Sequence, residues 1–166
     1  MLLESTPLNI YLVNMKIIID DLSNGAVIKL LKEHLEDMYA TSPPESVHAL
    51  DVNALKSKDI TFFSGWVGEA LQGCLALKHL TDRHVELKSM RTSSSSRQSG
   101  VATQLLTHAL DVALARGYQR VSLETGTQGF FQPARNLYEK FGFKFCGPFS
   151  DYKEDPNSCF MTRKLG

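Results

Sequence analysis

The chain has 166 residues, no formal net charge, 43% hydrophobic and 22% charged residues. That length suits one domain with a core of its own. The neutral balance excludes a global basic field of the kind that attracts nucleic acid or an anionic membrane surface.

Cys74, Cys146 and Cys159 are odd in number and too widely spaced for a metal-ligand pair. Neither a disulfide framework nor a metal is expected, and a reducing, cytoplasmic setting is the simpler reading. No apolar run approaches the roughly 18 residues of a membrane span. Residues 1–14 lack a basic start followed by an apolar stretch, so no secretory signal is expected. They read as an N-terminal extension, flexible, edge-pairing or ahead of the native start, with the domain expected over 15–166.

Residues 15–19 form a short apolar strand pattern, and Asp20, Asp21 and Ser23 then offer capping oxygens. Val27, Leu30, Leu31, Leu35 and Met38 recur at helical spacing and predict an amphipathic helix over 23–39. Ser42-Pro43-Pro44-Glu45 breaks it, and 45–56 suits a small helix with a loop. Three β-rich runs follow at 60–67, 71–80 and 84–92. Their short polar links predict antiparallel hairpins.

After a Ser-rich turn at 92–96, Val101, Leu105, Leu106, Ala109, Leu110 and Ala113 predict a helix over 101–116, ended by Gly117. Residues 119–125 alternate as a strand. Pro133 suits the start of a helix whose apolar face is Ala134, Leu137, Tyr138 and Phe141, and Gly142 ends it. Strands are expected at 143–146 and 158–164. The element order implies a mixed sheet with helices packed on it.

The segment Arg97-Gln98-Ser99-Gly100-Val101-Ala102 lies between a strand and a helix. Free N–H groups and partial positive charge at a helix start favour an anion, and a pyrophosphate can bridge several such donors. Gly100 allows close backbone approach. Arg97 adds formal charge, and Gln98 and Ser99 add polar groups. An ordinary strand-to-helix turn containing a glycine would look the same in isolation. The segment is neither a Walker loop nor a dinucleotide fingerprint.

Arg97-x-x-Gly100-x-Ala102 resembles the Gln/Arg-x-x-Gly-x-Gly/Ala signature of the GNAT acetyltransferases. Downstream, 134–143 resembles that family's second signature, a helix ending in Leu-Tyr-x-x-x-Gly-Phe. The element order agrees, and the resemblance spans residues 15–165. Residues 86–90 and Phe149-x-Asp151-Tyr152-x-x-Asp155-Pro156-x-Ser158 further resemble a bacterial YsnE-like subgroup of these enzymes. Ala102 stands where many members carry glycine.

The resemblance implies a single-domain α/β (α+β) GNAT fold. Its central sheet would be mixed and mostly antiparallel, of about six to seven strands, with helices on both faces and a parallel pair that splays open. It implies acetyl-CoA as co-substrate, an amine acceptor, no metal, no nucleic-acid or membrane partner, and pairing into a homodimer as an option. The backbone of Ser89, Met90 and Arg91 would pair with the pantetheine arm like an added strand. The turn Arg97, Gln98, Ser99, Gly100, Val101 and Ala102 would hold the pyrophosphate. Asn136 would bond the arm.

Tyr138 would stand near the thioester sulfur, where a phenol can protonate or stabilise the departing thiolate. Core packing is the other role open to Tyr138, since it lies on an apolar helical stripe. Glu86 is the first candidate base for the incoming ammonium, with His79, His84, Glu124 or a water chain behind it. Strand alternation sets Val85, Leu87 and Ser89 on one face and Glu86, Lys88 and Met90 on the other. Asp151, Glu154 and Asp155, in the 149–157 loop, suit either an ammonium-bearing substrate or a solvated loop. Three activities stay open: acetylation of a small amine, acetylation of a protein lysine or N-terminus, and acyl-CoA sensing without catalysis.

Overall fold

A computed structural model describes residues 15–96 and 99–166. The strands are β1 (Lys16–Ile19), β2 (Ile60–Val67), β3 (Ala70–Thr81), β4 (His84–Thr92), β5 (Arg120–Gly126), β6 (Lys144–Cys146) and β7 (Ser158–Lys164). They form one seven-stranded sheet in the order β1-β2-β3-β4-β5-β7-β6. Every neighbouring pair is antiparallel except β4 and β5. The α-helices are α1 (Gly25–Thr41), α2 (Val52–Leu55), α3 (Val101–Ala115) and α4 (Gln132–Lys140). A parallel pair needs a crossover, and α3 supplies it between β4 and β5.

The sheet separates two apolar clusters. On one face Phe63, Leu75, Leu77, Val85, Leu87, Val121 and Leu123 pack with Leu105, Leu106 and Ala109 of α3 and Tyr138 of α4. On the other, Phe62, Cys74 and Ala76 pack with Val27, Leu30 and Leu31 of α1 and Leu55 of α2. Adjacent residues such as Phe62 and Phe63 serve opposite cores, as a strand buried on both faces requires. Each such side chain contributes on the order of 2 kcal/mol by leaving water.

Helix α1 begins two residues later than its periodicity suggests, and its cap is Asn24, whose side chain accepts from the Ala26 amide. The aspartates proposed as caps do other work. Asp20 accepts from the Leu22 amide and Asp21 from that of Ser23, so together they build a turn ahead of the helix.

Two departures from regularity shape the sheet's centre. Strands β4 and β5 pair only from His84↔Arg120 to Leu87↔Leu123. Beyond Leu87, β5 continues against β7 alone and β4 against β3 alone, so the two part as expected. The second departure is a bulge. Cys74 faces Arg91 but Ala76 faces Lys88, which leaves one extra residue on β4, and Ser89 takes a left-handed φ of 53°.

The bulge corrects the expected alternation. Met90 packs against the same cluster as Val85 and Leu87, and Arg91 turns to the α1 face, where it meets Asp37 at 2.5 Å. Met90 and Arg91 thus take the faces opposite to those that simple alternation gives them.

Candidate active site

Where β4 and β5 part, a slot of about 860 Å³ opens through the sheet. Residues 86–92 of β4 form one wall and Glu124, Thr125 and Gly126 of β5 the other. The start of α3 and one stripe of α4 flank it on one side of the sheet, and α1 with residues 42–49 on the other. Among the described residues, the edge of β4 that faces β5 has no strand partner after Leu87.

Most of the residues expected at the site converge here. Glu86, Ser89, Met90, Arg91, Gly100, Val101, Ala102, Asn136 and Tyr138 all line the slot. Ser99 does not; its hydroxyl donates to the Ser96 carbonyl. Arg97 and Gln98 lie outside the described residues.

Gly100 caps α3 with a φ of 83°, a conformation that a side chain disfavours. The first bond inside α3 runs from the Gln104 amide to the Gly100 carbonyl. The amides of Val101, Ala102 and Thr103 therefore have no acceptor within the helix, and all three residues line the slot. Asn136 Oδ1 accepts from Gln132. Lys140, one turn beyond Asn136, brings an ammonium to the same rim, and no ion pair engages it among the described residues. Its spacing of four from Asn136, one helical turn, is the signal in the sequence that places it there.

Tyr138 is buried against the Phe143 ring and also lines the slot. Among the described residues its hydroxyl has no hydrogen-bond partner. Burial, and next the charge of Glu124, push its pKa well above the usual phenol range, so it stays protonated at neutral pH.

Glu86 is 2% exposed. Lys88 Nζ donates to its Oε2 at 3.2 Å, and the Tyr152 hydroxyl donates to the same oxygen at 2.5 Å. Lys88 Nζ also donates to the Tyr152 oxygen at 2.8 Å, which closes a triangle. Burial, then the adjacent Glu86 charge, hold the Tyr152 phenol far above its normal pKa.

Glu124 has no such partner among the described residues. Burial pushes its pKa up to about 7, against the lowering pull of the Ser158 hydroxyl and Lys88. Glu86 and Asp155 add to the rise. His79 and His84 do not line the slot. His79 meets the Tyr118 hydroxyl at 2.6 Å, and His84 meets Ser122 at 2.7 Å.

The loop between β6 and β7 reaches over the α1 side of the slot. Ser46 donates to Asp155 Oδ2 at 2.6 Å, which ties the loop to the short 3₁₀ turn Pro44–Ser46. Tyr152, from the same loop, packs T-shaped against His48 with ring centroids 5.1 Å apart. Tyr152 falls in the pattern that resembles the YsnE-like subgroup, but its contact with Glu86 and the tie from Ser46 carry no sequence signal, because neither residue lies in a periodic element. Asp155 had been placed among residues for a substrate or for solvent, and its side chain is taken up by this strap.

Comparison with known proteins agrees with this geometry. Residues 27–143 match the model of the Acetyltransferase (GNAT) family. Over 151 residues, 91% of this chain and 100% of the relative, the sequence is 56% identical to the uncharacterized N-acetyltransferase YsnE of Bacillus subtilis (strain 168). It is 50% identical over 146 residues to the uncharacterized N-acetyltransferase YedL of Escherichia coli (strain K12), covering 88% of this chain and 92% of that one. The fold is similar to that of a Bacillus subtilis acetyltransferase solved in complex with CoA. The TM-score is 0.68 and the identity 18%, over 91% of this chain and 99% of that one.

Proposed function

The chain belongs to the GNAT acetyltransferase family, and we propose that it transfers the acetyl group of acetyl-CoA to a primary amine of a small molecule by direct attack. One observation carries this reading. Glu124 and Tyr138 line the same slot where β4 and β5 part, close enough for the charge of one to perturb the other.

Acetyl-CoA fits the side of the slot that holds α3 and α4. Free amides at the start of α3 and the Lys140 ammonium suit its phosphates. The unpaired edge of 88–92 suits the amides of a pantetheine arm. The acetyl group then lies between β4 and β5, and the amine arrives from the α1 side.

An amine at neutral pH is mostly protonated and must lose a proton before it attacks. Glu124 takes that role in our reading. A carboxyl with a pKa of about 7 is half ionised at neutral pH and a far better base than an ordinary one. The first candidate, Glu86, is less suited, since its carboxylate is already engaged at Oε2 by both Lys88 and Tyr152. Glu86 holds Lys88 and Tyr152 in place instead.

Tyr138 serves the leaving sulfur. Its phenol is a weaker acid than a free thiol, so it stabilises the thiolate by donating a hydrogen bond rather than by giving up its proton. The strap from Asp155 to Ser46 supports a small acceptor, because it spans the side on which a peptide would need an open groove.

The test is release of free CoA thiol from acetyl-CoA in the presence of small primary amines and of lysine-bearing peptides. Amine-dependent release with the small acceptors is expected. Thermal stabilisation by acetyl-CoA with no release under any amine would leave a binding protein instead, and faster release with the peptides would move the acceptor class.

A further inference from the structure

The charges on the acceptor side of the slot are already spoken for. Glu86, Lys88 and Tyr152 satisfy one another. Arg91 is held by Asp37 at 2.5 Å. Asp155 accepts from Ser46 and from the Asn157 amide. Burial first, then Arg91, pull His34 down to about 4, so it is neutral at working pH. His48 packs T-shaped against the Tyr152 ring. Among the described residues, Glu124 is the one carboxylate of the slot with no cation within ion-pair reach. The rest of that side is uncharged, with Met38, Val47 and Ala49 in the lining beside Ser42, Ser46 and Asn157.

From this pairing, and resting on the transferase reading above, we infer that the acetyl acceptor is a monoamine: one ammonium that docks on Glu124, joined to an uncharged body. The reasoning concerns what a second charge would meet. A carboxylate on the acceptor would enter beside Glu86 and Glu124 and find, among the described residues of that side, no lysine or arginine without a carboxylate partner. The nearest, Lys88, is committed to Glu86. A second ammonium would find no further carboxylate without a partner among the described residues of that side. Either charge would be stripped of water without a partner, which is among the costliest events in a buried site. Amino acids, diamines and polyamines are therefore poor acceptors, and an aliphatic or aromatic monoamine of similar body is a good one.

The experiment compares matched acceptors by initial rates of CoA release. The pairs are phenethylamine with phenylalanine, and hexylamine with 1,6-diaminohexane. The monoamine of each pair should have a kcat/KM at least about 100-fold higher. A ratio below about tenfold in either pair, or a preference for the charged member, overturns the inference while leaving the transferase reading intact. No release with any of the four sinks the transferase reading, and this inference with it.

A variant provides an independent arm. Glu86→Gln keeps the side-chain shape but frees the Lys88 ammonium. The preference for phenethylamine over phenylalanine should then fall by about tenfold or more, while that for hexylamine over diaminohexane should not fall. An unchanged first ratio, in a protein still stabilised by acetyl-CoA, would show that charge pairing does not set the choice.

Discussion

Glu124→Gln separates function from stability in opposite directions. Moving a buried carboxyl from 4.5 to about 7 means that its charged form costs the folded state roughly 3 kcal/mol. The folded protein holds this proton more tightly than the unfolded chain. Its contribution is therefore fully favourable below the unfolded value of 4.5 and is lost as pH rises through about 7. Glutamine cannot ionise and removes that dependence.

The stability of the variant relative to wild type should thus improve by up to roughly 3 kcal/mol between about pH 5 and about pH 8. For a domain of this size that is on the order of 6–10 °C in Tm. The same change should lower kcat/KM by roughly 10²–10⁴-fold, the usual worth of a positioned base. Wild-type activity should rise with pH through about 7.

Denaturant melts of both proteins at the two pH values, without acetyl-CoA, read the first effect. A pH–rate profile reads the second. A relative stability that does not change with pH would show that Glu124 ionises normally in the fold. A wild-type profile with no inflection near neutrality would remove it as the base.

Three further changes test the remaining assignments. Tyr138→Phe should fold and keep its thermal stabilisation by acetyl-CoA, while kcat falls about 10- to 100-fold, the worth of one hydrogen bond to a charged atom; near-normal kcat would return Tyr138 to a packing role. Gly100→Asp sets a side chain on a φ of 83° and a negative charge before the free amides of α3, so most of the acetyl-CoA-dependent rise in Tm should vanish. An unchanged rise in the folded variant would place the phosphate site elsewhere. Glu86→Gln should lower turnover by about the same factor at every pH, whereas a loss confined to low pH would make Glu86 the base.

The sequence carried much of the frame because most of its elements have one clear period. Strands β2, β4 and β7 fall on the bounds their alternation suggests, and the core face of α3 is the stripe read from Val101 to Ala113. The parting of β4 from β5 came through resemblance, and the paired register bears it out. The ranking of Glu86 against Glu124 was not legible. Both alternate onto the same side of the sheet. What differs is that Lys88 and Tyr152 reach one and not the other, and Tyr152 arrives from a loop 64 residues beyond Lys88. No spacing within β4 or β5 reports that contact.

The bulge in β4 was equally hidden, and it has the larger consequence. One extra residue in a strand shifts the face of every residue after it, and no composition signal marks Ser89 as its site. Left-handed backbone costs a residue other than glycine roughly 1–2 kcal/mol, so the sheet would be more stable with regular pairing. What the bulge achieves is local. With strict alternation, Arg91 would aim its guanidinium at the apolar cluster of Val85 and Leu87, and Met90 would stand in its place beside Asp37. With the bulge, Arg91 pairs with Asp37 on α1 and Met90 joins the core. The same irregularity lies where β4 has just lost β5, so the free edge beside the slot is bent rather than straight. An edge left straight and open would invite another strand. Bent and set within a slot, it is better suited to a short extended ligand arm than to a further strand.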